Sequence, residues 1–272
     1  MGKWSLNNNV WLSHYAPHEI VDTSPVFDGT LFKQGGLVAR WTESYGQEND
    51  KKWWYVIKDE PFDILSLKAK RRYEITKGLK NFEVRVIDPE IFAEQIYCVN
   101  ERSLTAYPEK YRNVENKEDF ITKVKQWKGV KHIVIYGAFY KETGQMCGFS
   151  MINPHEEWCA FSWLKTDPNY EKYGVNASIV FTILNDLKDK LASGYYLCDG
   201  QRNIYHETAF QNYLEKYFGF KKVYCKLKIA YAKKVKWIVK ICYAFRKVLY
   251  KLDKVGIIHK INSLLKMQEY SD

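Results

Sequence analysis

Apolar residues in the first sixty positions come in short runs broken by turn signals. Two of them, "GGLVARWTE" and "KKWWYVIKD", predict strands on either side of the polar loop "SYGQEND". The period then changes in "DILSLKAKRRYEITKGL". Leu65, Lys68, Arg72 and Ile75 fall at helical spacing, which predicts a basic helix with Asp63 as N-cap and Gly78 as C-cap. "NFEVRVID" predicts a strand, Pro89 to Asn100 a helix opened by its proline, and Lys117 to Gln126 a further helix.

From Lys131 onward the pattern is strand-like. "KHIVIYGAFY", "MCGFSMIN" and "WCAFSWLKT" are separated by the turns "KETGQ" and "PHEE", which predicts a three-stranded antiparallel meander. The loop "DPNYEKYGVN" leads into a helix from Asn176 to Ala192, whose Ile179, Ile183, Leu184 and Leu187 share a face before Gly194 ends it. A strand "YYLCDG", a helix over Tyr205 to Tyr217 and a strand "GFKKVYCKLKIAY" complete the set. In the tail Trp237, Ile238, Ile241, Cys242, Phe245, Val248, Leu249 and Leu252 recur at helical spacing, with lysines on the opposite side.

Charge sharpens the picture of that tail. Lys221 to Lys266 holds fourteen Lys/Arg and the single acid Asp253, a local +13 that leaves −3 of the total +10 for the rest of the chain. A polybasic amphipathic helix over 233–254 predicts attraction to an anionic membrane surface, with packing on the domain and RNA binding as rivals. No apolar signal core opens the chain and no run approaches the ~18 apolar residues of a membrane span, so a cytoplasmic location follows, peripheral at the inner face of the membrane if the tail docks there. The six cysteines stand apart, with no metal-ligand spacing, and read as reduced core residues; no metal is implied.

The strand-loop-helix at "WLKTDPNYEKYGVNASIVFTIL" and the closing "NYLEKYFGFKK" resemble the GNAT-type N-acyltransferases over roughly residues 81–231. The resemblance implies a mixed α/β sheet flanked by helices. It also implies a loop, Lys172, Tyr173, Gly174, Val175, Asn176 and Ala177, whose backbone N–H groups hold the pyrophosphate of acetyl-CoA or another acyl-CoA. The family's Gln/Arg-x-x-Gly-x-Gly/Ala stands here as Glu171-Lys-Tyr-Gly174-Val-Asn176, with a carboxylate where an anion docks. "LKAKRRYEITKGLKNFEVRVI" is similar to the Arg-rich helix of the Fem-type peptidyltransferases, which draw amino acids from aminoacyl-tRNA. In that reading Lys68, Arg71 and Arg72 hold a substrate phosphate. The combination also resembles GNAT-like proteins of surface-glycan gene clusters.

Acyl transfer to an amine needs a base of near-neutral pKa and a hydroxyl donor for the leaving group. His206, Phe210, Tyr213 and Tyr217 share one face of the predicted helix, which makes His206 the candidate base, with Glu207 and Asp199 as rivals. Tyr213 matches the position of the family's general acid. Asn203 reads as helix N-cap or cofactor ligand, His155 with Glu156 and Glu157 as solvated turn chemistry, and His132 as a residue on a strand face.

These residues predict an N-terminal extension over 1–80, a GNAT-like acyltransferase domain over 81–231 and a basic helical tail over 232–272. The predicted activity is acyl transfer from acyl-CoA to an amine of an amino sugar or lipid-linked surface-glycan precursor. An aminoacyl-tRNA-dependent Fem-like transferase is the enzymatic alternative, and a catalytically silent membrane-tethered module the other.

Overall fold

The computed structural model describes residues 3–48, 51–107, 112, 115–205, 209–253 and 256–272. Backbone contacts divide the chain into two compact units, one of residues 1–56, 201–209 and 222–272, the other of 57–200 and 210–221. Strands in chain order are β1 (Trp4–Asn7), β2 (Val10–Ser13), β3 (Val38–Glu43), β4 (Trp53–Lys58) and β5 (Phe82–Val86). They continue as β6 (Val134–Tyr140), β7 (Met146–Pro154), β8 (Trp158–Thr166), β9 (Tyr196–Gln201) and β10 (Lys221–Tyr231). Helices are α1 (Ser24–Phe27), α2 (Thr30–Lys33), α3 (Ala69–Asn81), α4 (Ala93–Leu104), α5 (Lys117–Gln126) and α6 (Pro168–Glu171). Then follow α7 (Val175–Asp186), α8 (Lys188–Ala192), α9 (Ala209–Phe218), α10 (Lys233–Ala244), α11 (Arg246–Leu249) and α12 (Gly256–Ser271).

In the first unit the strand order is β1-β2-β3-β10-β4, with β2 parallel to β3 and β10 antiparallel to it. The opening hairpin turns at Asn8 and Asn9, both at positive φ (47° and 65°), the backbone that a tight hairpin requires and that Asn tolerates best after Gly. Trp4, Trp11, Leu31, Ala39 and Trp41 bury one face of this sheet. The tail forms α10, α11 and α12, of which α10 and α12 pack together.

The second unit holds β5 to β9 in the order β9-β8-β7-β6-β5, antiparallel except for the parallel pair β8 and β9. Successive strand residues face opposite sides, and β7 shows this plainly. Phe149 joins Ile96 and Val99 of α4 and Phe120 and Val124 of α5 in one core. Gly148, its neighbour, meets Val175 and Ile179 of α7 on the other face. α3 packs in turn on α7. The meander read from the sequence is therefore present, covered by helices on both faces, which is why its strands read as nearly continuous apolar runs.

Several local expectations need correction. Asp63 caps a single 3-10 turn, Ile64–Ser66, and α3 begins later and runs through Gly78 to Asn81, so Gly78 is an interior residue and no C-cap. The helix expected over 176–192 breaks at Leu187 into α7 and α8. His132 lies in the turn before β6 at φ 70°, where its ring stacks on His155 at 6.1 Å. The tail helix breaks at Phe245. All six cysteines are free, but Cys98 is exposed and Cys242 half-buried, because both sit on outward helix positions. Burial pushes the Cys147 thiol up to about 11 and that of Cys159 to about 12.

Candidate functional site

The two parallel strands of the second unit pair only briefly. Trp158, Cys159 and Ala160 face Tyr196, Leu197 and Cys198, after which β8 runs on to Thr166 without pairing to β9. The cause lies on the other side of β8, where Met151 faces Trp163 and Ile152 faces Phe161, so Ser162 is an extra residue in the ladder. A bulge of this kind bends its strand and raises the local twist, and here it falls just beyond the last residue paired with β9. The Ser162 hydroxyl donates to Asn153 Oδ1 across that irregularity. The ladder between β8 and β9 therefore ends at Ala160 and Cys198, and the next residues on the two strands are Phe161 and Asp199.

α9 lies against both of these residues. Its Phe210 ring lies 5.8 Å from Phe161, and Tyr213 stands 6.2 Å from Phe210, 4.9 Å from Tyr217 and 5.7 Å from Phe218. Gln211, only 4% exposed, donates its side-chain amide to the Asp199 carboxylate. Loss of solvent raises the Asp199 carboxyl from 3.8 to about 7, and the Gln211 hydrogen bond offsets part of that rise. Burial likewise raises the Tyr213 phenol, helped by the negative field of Glu74 on α3, so this hydroxyl keeps its proton at any ordinary pH. Asp199 thus titrates near neutrality, and the helix whose Gln211 holds it also carries a phenol that stays protonated.

His206 and Glu207 lie outside the described residues. Asn203 accepts a hydrogen bond at 3.0 Å from the Tyr205 backbone N–H, an Asx turn two residues long. The described part of α9 begins at Ala209, four residues later than the sequence pattern suggested, and carries Tyr213 as expected.

The loop before α7 is tied down by its own side chains. Asp167, its side chain 3% exposed, accepts from the Asn169 backbone N–H and pairs with Arg102 of α4 at 3.3 Å. Asn176 accepts from the Thr166 hydroxyl at 3.1 Å, and the Tyr173 carbonyl accepts from the Asn81 side chain at 3.1 Å. Gly174 has φ 88° and is buried against α3, where an added Cβ would stand 2.9 Å from the Cα of Gly78. Val175 and Ala177 are buried, whereas Glu171 and Lys172 are exposed, with the Lys172 ammonium 5.0 Å from the Tyr173 ring centre. The glycine that suggested an open phosphate cradle is thus occupied by helix packing. Lys172 is the exposed cation of this loop, and the backbone N–H groups of Val175, Asn176 and Ala177 belong to the first turn of α7.

Lys68 occupies the N-cap position of α3, and Lys70, Arg71 and Arg72 fill its first turn, which contains no acid. Positive charge at a helix N-terminus opposes the dipole, at about 0.3–1 kcal/mol for each group, so stability does not account for this arrangement. Lys68 is exposed and Arg71 and Arg72 are half-buried. Among the described residues no cluster of His, Cys, Asp and Glu has the makings of a metal site.

The chain matches no family model, and no curated protein matches it in sequence. Solved structures do resemble it. L-PGS from Bacillus licheniformis is 14% identical with a TM-score of 0.53, over 89% of this chain and 84% of that one. The C-terminal domain of a candidate lysylphosphatidylglycerol synthetase from Agrobacterium fabrum is 11% identical with a TM-score of 0.52, over 88% of this chain and 82% of its own. A tandem GNAT protein from the clavulanic acid biosynthesis pathway is 9% identical with a TM-score of 0.48, over 82% and 75%. The chain has a GNAT-like acyltransferase fold. Sequence reasoning missed the bulge at Ser162, for which "AFSWL" gives no signal, and ranked Asp199 behind His206 because burial is not visible in a sequence.

Proposed function

We propose that this protein transfers an acyl group from an activated carrier to an amine, at the opening where β8 and β9 part. The observation that carries the proposal is Asp199, a carboxyl titrating at about 7 beside that opening with Tyr213 on the adjoining helix. Asp199 takes the proton from the attacking ammonium, the freed amine forms the new bond to the acyl carbon, and the carrier leaves with the proton that Tyr213 donates. Phe161 and Phe210 narrow the opening and exclude water, which would otherwise compete for the acyl group.

Two donors suit this chemistry. The loop residues Lys172 to Ala177 suggested an acyl-CoA, acetyl-CoA being the simplest, with an amino sugar of a surface-glycan precursor as acceptor. An aminoacyl ester of tRNA is the better supported, because α3 closes over Gly174 and at the same time begins with four cations facing a polyanion's needs. An ester also demands more of Tyr213, since an alkoxide leaves less readily than a thiolate. The second reading keeps the glycan precursor, lipid-linked or free, as acceptor.

The deciding experiment supplies labelled acetyl-CoA or labelled aminoacyl-tRNA with amino-sugar acceptors and follows the label. Transfer from the tRNA ester, without release of thiol from acetyl-CoA, is the expected result. Transfer from neither donor would remove the proposal. In the active system Tyr213→Phe should lower kcat by about 10²-fold with KM little changed, because the hydroxyl acts only as the leaving group departs. A Tyr213→Phe enzyme with full kcat would leave Tyr213 as core packing.

A further inference from the structure

The tail exposes an apolar stripe on helices that bury a different face. α10 and α12 pack against each other, with Val239 of α10 7% exposed and the Tyr243 hydroxyl donating to Asp272 at 3.0 Å; beyond the break at Phe245, Arg246 of α11 donates to Glu269 of α12 at 3.0 Å. At ~100° per residue Val239 and Tyr243 lie about 40° apart on α10. Trp237, Ile238 and Ile241 lie roughly opposite, within a sector of about 100°; these three, with Phe245, Val248 and Leu252 at and beyond the break, are between 48% and 69% exposed. Exposed Lys233, Lys236 and Lys240 line the flank between the two sectors of α10, Lys247 and Lys251 are exposed beyond the break, and no acid occurs between residues 233 and 252.

From this geometry we propose that the stripe docks on an anionic phospholipid bilayer. An aromatic-bearing apolar face inserts at the boundary of headgroups and acyl chains, and lysine stems reach from its edge to the phosphate layer. A second copy of the chain is the poorer occupant, because a two-fold pairing of these stripes would bring two lysine rows together. RNA would satisfy the lysines and leave Trp237 and Phe245 in water. This surface stands independently of the acyl-transfer reading. Among the described residues no helix is long and apolar enough to cross a membrane, so the association is one of lying on the surface.

The test is cosedimentation of the full chain with vesicles of phosphatidylcholine alone and of equimolar phosphatidylcholine and phosphatidylglycerol, at low and high salt. The expected result is binding to the mixed vesicles, weakened by salt, with the bound-to-free ratio at least tenfold lower for Ile241→Glu/Phe245→Glu. Both residues are exposed, so the double variant should keep its circular dichroism spectrum. Lys236→Glu/Lys240→Glu provides a second probe and should lose most of the difference between the two vesicle types. Binding to neutral and anionic vesicles alike, or variants that bind as wild type, would overturn the proposal. So would a dimer that the first variant converts to monomer while neither protein binds vesicles.

Discussion

Asp199→Asn is expected to lower activity by about 10²–10⁴-fold and to stabilise the protein above neutral pH. The carboxyl titrates at about 7 in the folded chain against 3.8 when solvated. Between those values the folded state holds a proton that the unfolded state has released, so the contribution of this group to stability is fully present below pH 3.8 and is lost as pH rises through 7. Above pH 7 the folded protein carries a carboxylate away from water, whereas an asparagine still accepts from Gln211 and never ionises. The gain at pH 8 should be on the order of 2–4 kcal/mol, a rise in Tm of roughly 5–10 °C, shrinking to about nothing at pH 4. Wild-type kcat/KM should climb about tenfold per pH unit up to a plateau near 7, and the residual activity of the variant should lack that limb. A wild-type profile with no inflection near 7, or a variant no more stable at pH 8 than at pH 4, would remove Asp199 from the role of base.

How much of this was legible in the sequence depended on whether the cause is local. The meander strands β6 to β8 announced themselves because alternation and turn residues act over a few positions. So did the strand-loop-helix order at Asp167 to Asp186 and the apolar spacing of the tail. The near-neutral titration of Asp199 comes from burial by the folded chain, partly offset by a hydrogen bond from Gln211, and "LCDGQ" contains none of that information. The bulge at Ser162 is likewise a property of the β7–β8 pair, and neither strand shows it alone. Gly78 was misread for the same reason. A glycine near the end of an apolar run looks like a helix stop, and only the packed pair shows that it faces another backbone. In the tail the spacing gave the stripe, but exposure decides its use, and exposure followed from the packing of α12 on α10, which the spacing does not show.

The Gly78–Gly174 contact gives the largest expected effect on folding, and its sign separates two principles. A Cβ on Gly78 would clash with the Gly174 carbonyl oxygen and stand 3.1 Å from the Ser178 nitrogen, backbone atoms of the N-cap and first turn of α7. Helix propensity alone predicts that Gly78→Ala stabilises α3 by about 1 kcal/mol. Close approach predicts the reverse, because neither backbone can yield without α3 lifting from α7, and overpacking of this kind costs about 1–3 kcal/mol. We expect packing to win, with Gly78→Ala destabilising. Gly174→Val should do more harm, since it adds a β-branched residue at φ 88° to a Cβ only 2.9 Å from the nitrogen of Gly78. The left-handed strain of about 1–2 kcal/mol adds to the overpacking, for a total of about 2–5 kcal/mol. Urea unfolding of the two variants measures both effects, and a more stable Gly78→Ala protein would show that the helices separate easily there. The consequence reaches the functional test, because a Gly174 variant that fails to bind a donor reports on folding as much as on the loop. Lys172→Ala is the cleaner probe, since this exposed side chain should change stability by less than about 0.5 kcal/mol. Loss of acetyl-CoA binding in Lys172→Ala would restore the loop as a pyrophosphate site, whereas unchanged tRNA-dependent transfer in that variant is what the aminoacyl-ester reading requires.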